Sequence, residues 1–410
     1  MKIRSLTVGL TSDKQSMLEN ERRLSSFVAK KNELVNSTDI ELRTTRLTLC
    51  PINLHHEMND PTIQSIAAWT SSLCIKNDMR WFCMPFDFSD QEFDPKMTNL
   101  ILNLLKKFPN AFSNIIVAND FQINSQSVNS AAELIKRLGK NSNNGFDNFR
   151  LGISSNCRPH TPFFPFSYHE GESGFSIALE VLDIFFDILE KNQSEDSSSL
   201  RLLLIDELTN QLVEVNKFCR SLEKETGLIF YGIDSSLAPF PDGSMSVGRL
   251  IEMIIGTDVG SNGTVFCTAY LTNIIDQAFK ASEAPRAGFN GVMYSVLEDD
   301  YLAAAIKNKN ITIDSLALYS TVCGCGLDMV PVPGDIFVEE IASIIFDIAA
   351  LSIALNKPLG TRLLPIPGKS MNEITDFNYD FLVDTRIMEV KNSSINLDFL
   401  SKKIVGIGKR

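Results

Sequence analysis

Extended apolar runs and helical patterns alternate along the first 155 residues. KIRSLTVGL (2–10), IELRTTRLTL (40–49), MRWFCMPFDF (79–88), FSNIIVAND (112–120) and NFRLGIS (148–154) read as strands. Between them, 17–35, 62–75, 96–108 and 127–138 carry apolar residues at helical spacing. Such alternation predicts an α/β layer fold with mostly parallel strands. RPHTPFFPFSYHEGESG (158–174), rich in proline and aromatics, interrupts the rhythm. Two long amphipathic helices are expected next, over 175–192 and 199–227. Alternation then resumes, with strands expected at 228–236, 288–296, 326–333 and 360–367. Helices are expected at 246–255, 264–281, 299–308, 312–321 and 336–355. The pattern divides the chain into a first α/β half (1–155), a second half carrying unusual loops (156–372) and a weakly patterned tail (373–410), all within one structural domain.

Composition narrows the partners. The chain is 44% hydrophobic and 21% charged, with a net charge of −12. That lacks the basic footprint of a nucleic-acid platform and leaves a small-molecule ligand as the expected partner. It does not decide between a monomer and a homo-oligomer. The longest apolar stretch, 341–356, carries Asp347 and falls short of a membrane span. The N-terminal apolar run is too short for a signal peptide, and the eight scattered cysteines lack the spacing of a disulfide framework. A cytoplasmic protein with reduced thiols is expected.

The chemistry-bearing residues cluster after the second-half strands. DSSLAPFPDGSMS (234–246), SVLEDD (295–300), VPGD (332–335) and IPGKS (366–370) each follow a strand. In parallel α/β folds such loops converge on the ligand face. The expectation is one cleft holding Asp234, Asp242, Glu298, Asp299, Asp335, Arg362 and Lys369. Asp234, Asp242, Glu298 and Asp335 would serve as acids or oxygen ligands, with Arg362, Lys369 and Ser235 on the substrate. The cofactor is unknown; oxygen donors of this kind suit Mg²⁺ or Ca²⁺. Each acid has a structural reading beside this one: Asp335 as the cap of a helix starting near Ile336, Asp242 as a turn residue, Glu298 and Asp299 as a first helical turn. GSNGT (260–264), with Asn262, opens a helix and could cradle an anion or be a plain loop. His169 is the proton-transfer candidate by residue type, or a histidine bonded to backbone. The glycines and prolines of VCGCGLDMVPVPGD (322–335) predict a finger or distorted strand, with Cys323 and Cys325 buried and redox-silent.

GIDSSLAPFPDGSMSVGRLIE, GFNGVMYSVLEDD, VCGCGLDMVPVPGD, NKPLGTRLLPIPGK and PFFPFSYHEGESGFSIALE together resemble domain-of-unknown-function family 711. The resemblance implies a ten-stranded α/β barrel similar to that of glycyl radical enzymes, surrounded by helices, with a finger loop inside. It also raises a redox or radical reading through Cys323. The tail glycines, Gly406 and Gly408, stand outside the Arg-Val-x-Gly-aromatic context of a radical glycine. The expected function is acid/base catalysis on a small polar or anionic metabolite, with room for a divalent cation. The alternative is a regulatory protein that binds the metabolite without turning it over.

Overall fold

The computed structural model describes residues 1–11, 17–52, 60–91, 93, 95–142, 144–240, 244–391 and 404–406. The first half builds β1 (Lys2–Leu10), α1 (Met17–Asn36), β2 (Glu41–Leu42), β3 (Thr45–Leu49), α2 (Asp60–Lys76), β4 (Trp81–Asp87) and α3 (Pro95–Lys107). It continues with β5 (Ala111–Asn119), β6 (Gln122–Asn124), α4 (Ser125–Gly139) and β7 (Leu151–Ser155). The second half holds β8 (Gly174–Leu179), α5 (Leu182–Lys191), α6 (Ser197–Thr226), β9 (Ile229–Asp234), α7 (Val247–Ile255), α8 (Thr264–Ser282), α9 (Asp300–Lys307) and α10 (Ile313–Tyr319). Then come β10 (Gly326–Pro333), α11 (Val338–Leu355), β11 (Leu359–Ile366) and, from the tail, β12 (Ile404–Gly406).

These strands form one sheet whose main path runs β10-β11-β7-β5-β4-β3-β1-β8-β9. β1, β3, β4, β5 and β7 are mutually parallel, as their alternation with helices predicts. The direction reverses at both junctions: β1 pairs antiparallel with β8, and β7 antiparallel with β11. The sheet is therefore mixed, and its ladders do not close. Single bridges link Ile233 to Arg286, Leu237 to Val292 and Ser295 to Asp328, carrying the chain between the β9 and β10 edges.

Three sequence expectations change. The segment 288–296 makes isolated bridges instead of a strand. The stretch expected as one helix over 175–192 splits into β8 and α5. Phe175, Ile177 and Leu179 alternate, which suits a strand buried between β1 and β9. The tail also has structure: β12 pairs with β6, and Phe377, Thr385, Arg386, Ile387 and Met388 are buried.

One irregular segment fills the inner face of the sheet. Residues 161–169 are all buried, although they form no regular element. Phe163, Phe166 and Tyr168 form an apolar cluster with Ile116 of β5, Ala178 of β8, Met293 and Cys325. Carbonyls of this plug find partners on the strands: Ser5 and Thr7 hydroxyls donate to Pro162 O, and the Cys83 thiol lies 3.4 and 3.2 Å from Pro165 O and Ser167 O. Glycines make the approach possible. A Cβ on Gly360 would stand 2.4 Å from the Phe166 ring, and one on Gly152 would stand 2.7 Å from Pro165.

The prolines of β10 are tolerated because its far side carries no continuous ladder. The strand is distorted, as expected. Its register with β11 shifts between Leu327 and Val330, and Met329 has φ 54°. The extra residue is a β-bulge facing Arg362.

Gly360→Ala should lower stability by about 1–3 kcal/mol, through forced movement of the Phe166 ring. Urea unfolding of Gly360→Ala, Phe166→Ala and the double variant checks this. The alanine at 360 should cost clearly less once the ring is gone.

Candidate functional site

The sheet's reversal of direction brings the amino ends of the first five strands together with the loops that follow the second-half strands. A cavity of about 360 Å³ lies at this end, within the size range of small-molecule sites. Its wall takes Arg4 from β1, Arg43, Thr44 and Arg46 at the start of β3, and Arg80 and Trp81 at the start of β4. Across from these stand Ala238, Pro239 and Phe240 after β9, Glu298, Asp328 of β10 and Arg362 of β11. Phe149, Phe163, Phe164 and Cys325 also line it.

Five arginines face this one space, against three lining acids, Glu298, Asp328 and Asp380. Two arginines are clamped by carboxylates. Arg362 meets Asp328 through two bonds of 2.6 and 2.9 Å, with both side chains almost fully buried. The bulge in β10 sets Asp328 beside Arg362 for this contact. Arg43 meets Glu180 in the same forked way, at 2.6 and 2.8 Å. Arg4 donates to the carbonyls of Ala238 and Pro239, and its nearest carboxylate oxygen is that of Glu298 at 3.9 Å. Among the described residues, Arg46 and Arg80 form no ion pair.

Aromatic faces hold all five guanidinium groups. Arg80 lies 4.2 Å from the Trp81 ring centre, Arg43 4.9 Å from Phe240, Arg362 5.3 Å from Phe149 and Arg4 6.0 Å from Phe163. Arg46 is sandwiched by Trp81 at 5.2 Å and Phe164 at 5.4 Å. Ring faces attract a cation without neutralising it. The electrostatics reflect this excess. Burial first, then repulsion from Arg4, Arg80 and Arg362, pushes Arg46 down to about 9, with Glu298 opposing the shift. Burial raises Glu298 above the usual carboxyl range, although Arg362 and Arg4 pull it back.

The cavity gathers only Glu298 and Arg362 of the site residues expected from sequence. Asp234 is wholly buried as a structural acceptor: it takes bonds from the amides of Ser236, Phe289 and Asn290 and from the Ser236 hydroxyl. It ties the end of β9 to the 288–290 turn and is fully buried. Ser235 is buried beside it, its amide bonded to Asn290 Oδ1. Asp299 is also structural, not a solvated first turn. It caps α9 through Tyr301 N and Leu302 N, and holds α7 through Val247 N, Gly248 N and the Ser246 hydroxyl.

Asp335 does not cap α11. That helix starts at Val338 with Phe337 at the cap position, and Glu340 accepts the Phe337 amide, while Asp335 is exposed in the preceding turn. Ile336 and Phe337 intervene, so Asp335 lies too far upstream to reach the first-turn amides. Lys369 points away from the cavity, onto Ile374 O and Asp376. Asn262 is exposed before α8. Asp242 falls outside the described residues. His169 is buried in the plug, but it lies against Gly9 and Leu49, at the carboxyl ends of β1 and β3. That is the opposite end of these strands from the arginines.

All eight cysteines are free. Cys323 and Cys325 are buried, as expected. A hydrogen bond between their thiols lowers Cys323 to about 6 and holds Cys325 well above its ordinary range. Lys357 sits beside them, donating to Cys323 O at 2.5 Å.

Sequence reasoning missed Arg4, Arg43, Arg46 and Arg80. Their signal was present: each interrupts or heads an apolar strand, where a guanidinium needs a reason. The loops after strands drew attention instead, and the arginines lie at the amino ends of theirs.

Comparison with known proteins agrees with the motifs. A UPF0210 protein of Pyrobaculum arsenaticum is 29% identical over 261 residues, 62% of this chain and 56% of the relative. One from Clostridium perfringens is 27% identical over 320 residues, covering 74% and 70%, and one from Methanocaldococcus jannaschii is 26% identical over 306 residues, covering 73% and 66%. The match thus spans little more than half the length of the Pyrobaculum relative. The family described as "Uncharacterised ACR (DUF711)" matches residues 1–380, and the chain belongs to that family.

Proposed function

We propose that the arginine-lined cavity binds a small anionic metabolite and that the protein is an enzyme acting on it by acid/base chemistry. One observation carries the reading: five ring-backed arginines converge on one space with too few carboxylates to neutralise them. An entering carboxylate or phosphate would relieve the repulsion that depresses Arg46, and its apolar part would meet Phe149, Phe163 and Phe164. Glu298 is the proton-transfer group, since it is the half-buried cavity acid without a close clamp: Asp328 is held by Arg362, whereas Glu298 has Arg4 at 3.9 Å. A divalent cation fits this cavity poorly, because it would have to enter a cationic lining. A binding protein without turnover would use the same groups and differ only in forming no product.

The bridges between the β9 and β10 edges support a finer reading of the fold. With the segment 286–295 counted as a strand between them, β8, β9, β10 and β11 form a second set of five beside the first. Ten strands then make a barrel resembling that of glycyl radical enzymes, with the plug as its finger. Fold alone does not carry radical chemistry across.

Thermal shift with benzoate, aliphatic dicarboxylates and inorganic phosphate, using benzamide as the uncharged control, tests the ligand class. Anions should raise Tm and benzamide should not. Arg46→Met, which keeps the stem between Trp81 and Phe164, should lose most of the response. An equal response in Arg46→Met, or none in the wild type, rejects the site. Mass spectrometry of the best anion after incubation separates enzyme from binder, and Glu298→Gln should keep binding while losing any product.

The raised Glu298 also sets a pH dependence. Above its raised value the carboxylate is charged and repels an anion. As pH falls through that value, still above the ordinary carboxyl range, it gains a proton and anion affinity should rise. Calorimetry of benzoate binding should show this rise in the wild type. Glu298→Gln should bind at the low-pH strength throughout.

A further inference from the structure

We infer that His160 and His169 form a binding site for a divalent transition-metal ion, at the end of the first-half strands opposite the arginine cavity. The two Nδ1 atoms lie 3.2 Å apart, with the rings inclined at 67°. Zn–N bonds of about 2.0–2.1 Å at a tetrahedral angle set neighbouring nitrogens about 3.3 Å apart. The pair therefore already has the spacing that one ion, bound by both Nδ1 atoms, requires.

The surrounding chain is built to hold it. A Cβ on Gly9 would stand 2.0 Å from His169 Nδ1, so β1 must carry glycine there. The His169 amide donates to Leu49 O at the last residue of β3, fixing the ring against two strand ends. His160 takes a left-handed backbone, φ 66°, which a non-glycine residue adopts at a cost. That turn stacks its ring on Tyr231, with centres 3.5 Å apart and planes within 7°. Tyr231 is fixed in turn through its hydroxyl, which donates to Glu172 O at 2.7 Å, and Gly174 leaves room for its ring. Both imidazoles are confined, and their Nδ1 atoms face each other. Strand carboxyl ends are the usual ligand side of parallel sheets.

Without metal, one Nδ1 donates its proton to the other. Metal binding requires both rings to carry their proton on Nε2, which leaves both Nδ1 lone pairs to the ion. Nitrogen donors select zinc, cobalt, nickel or copper over magnesium and calcium. Among the described residues, no third His, Cys, Asp or Glu joins the pair. Water then fills the remaining positions, so affinity should be moderate and exchange open, because His160 is half-buried and not sealed.

The probes are Zn²⁺ and Co²⁺ added to chelator-treated full-length protein, followed by calorimetry and by the visible absorption of the cobalt form. One equivalent should bind in the micromolar range, with cobalt bands of nitrogen and oxygen ligands and no thiolate charge-transfer band. His160→Phe, which keeps the stack on Tyr231, should weaken binding ~10-fold or more. His160→Gln serves as a second variant should the first fail to fold, with circular dichroism reporting the fold of each. No saturable binding by the wild type, unchanged binding by a folded His160 variant, or a thiolate band would each overturn the site. Benzoate binding at the arginine cavity should be the same in His160→Phe as in the wild type, so either site can fail without the other.

Discussion

The structure depends on the irregular segment 161–169, which is buried throughout and packs its rings against the strands. A buried peptide without regular hydrogen bonding needs a partner for each polar group. Here Ser5, Thr7 and Cys83 reach from the strands to the plug's carbonyls. Tyr168 closes it on itself by donating to Cys157 O at 2.7 Å. Strand glycines then admit its rings: Gly152 and Gly360 around Phe166, Gly9 beneath His169. The plug also divides the interior. Phe163 and Phe164 face the arginine cavity, while His160 and His169 face the other end.

The arginine cavity answers a problem of charge storage. Guanidinium groups gathered at one cavity repel one another, and the buried pair among them, Arg46 and Arg362, also lose hydration. Neutralising all five with carboxylates would stabilise them but leave nothing for a ligand. The protein clamps two, Arg362 and Arg43, with forked carboxylates. It supports the others on rings and carbonyls, which attract without cancelling charge. Burial lowers Arg46 first, and repulsion from Arg4, Arg80 and Arg362 adds to it.

Much of the fold was legible because it rests on local periodicity. β10 (Gly326–Pro333) and α8 (Thr264–Ser282) follow the pattern almost residue for residue. The break between β8 and α5 was not, because Phe175-Ser-Ile-Ala-Leu179 satisfies both spacings and only pairing with β1 decides it. The reversals at β1–β8 and β7–β11 are non-local, and no window of sequence contains both partners. They also explain the uneven outcome at the site. A wholly parallel sheet would have put every interesting loop on one face. The reversals instead bring the second-half loops to the amino ends of the first-half strands. Glu298 and Arg362 thus meet arginines that sequence alone gave no reason to group with them. Asp234 stood out as an acid inside a strand, and Asp299 was read as a cleft residue or a solvated first turn; in the structure backbone amides partner both.

The same reversals give the two ends of the strands different chemistry. Cationic side chains gather at one end, and burial keeps the imidazoles neutral at the other. Were the two groups mixed, the guanidinium charge would repel the metal ion proposed for the histidines, and that ion would compete for the anion proposed for the arginines. The plug carries apolar rings toward one end and the imidazoles toward the other. A segment needed first to fill space thereby separates the surroundings of Arg46 from those of His169, although both side chains lie along the same few strands.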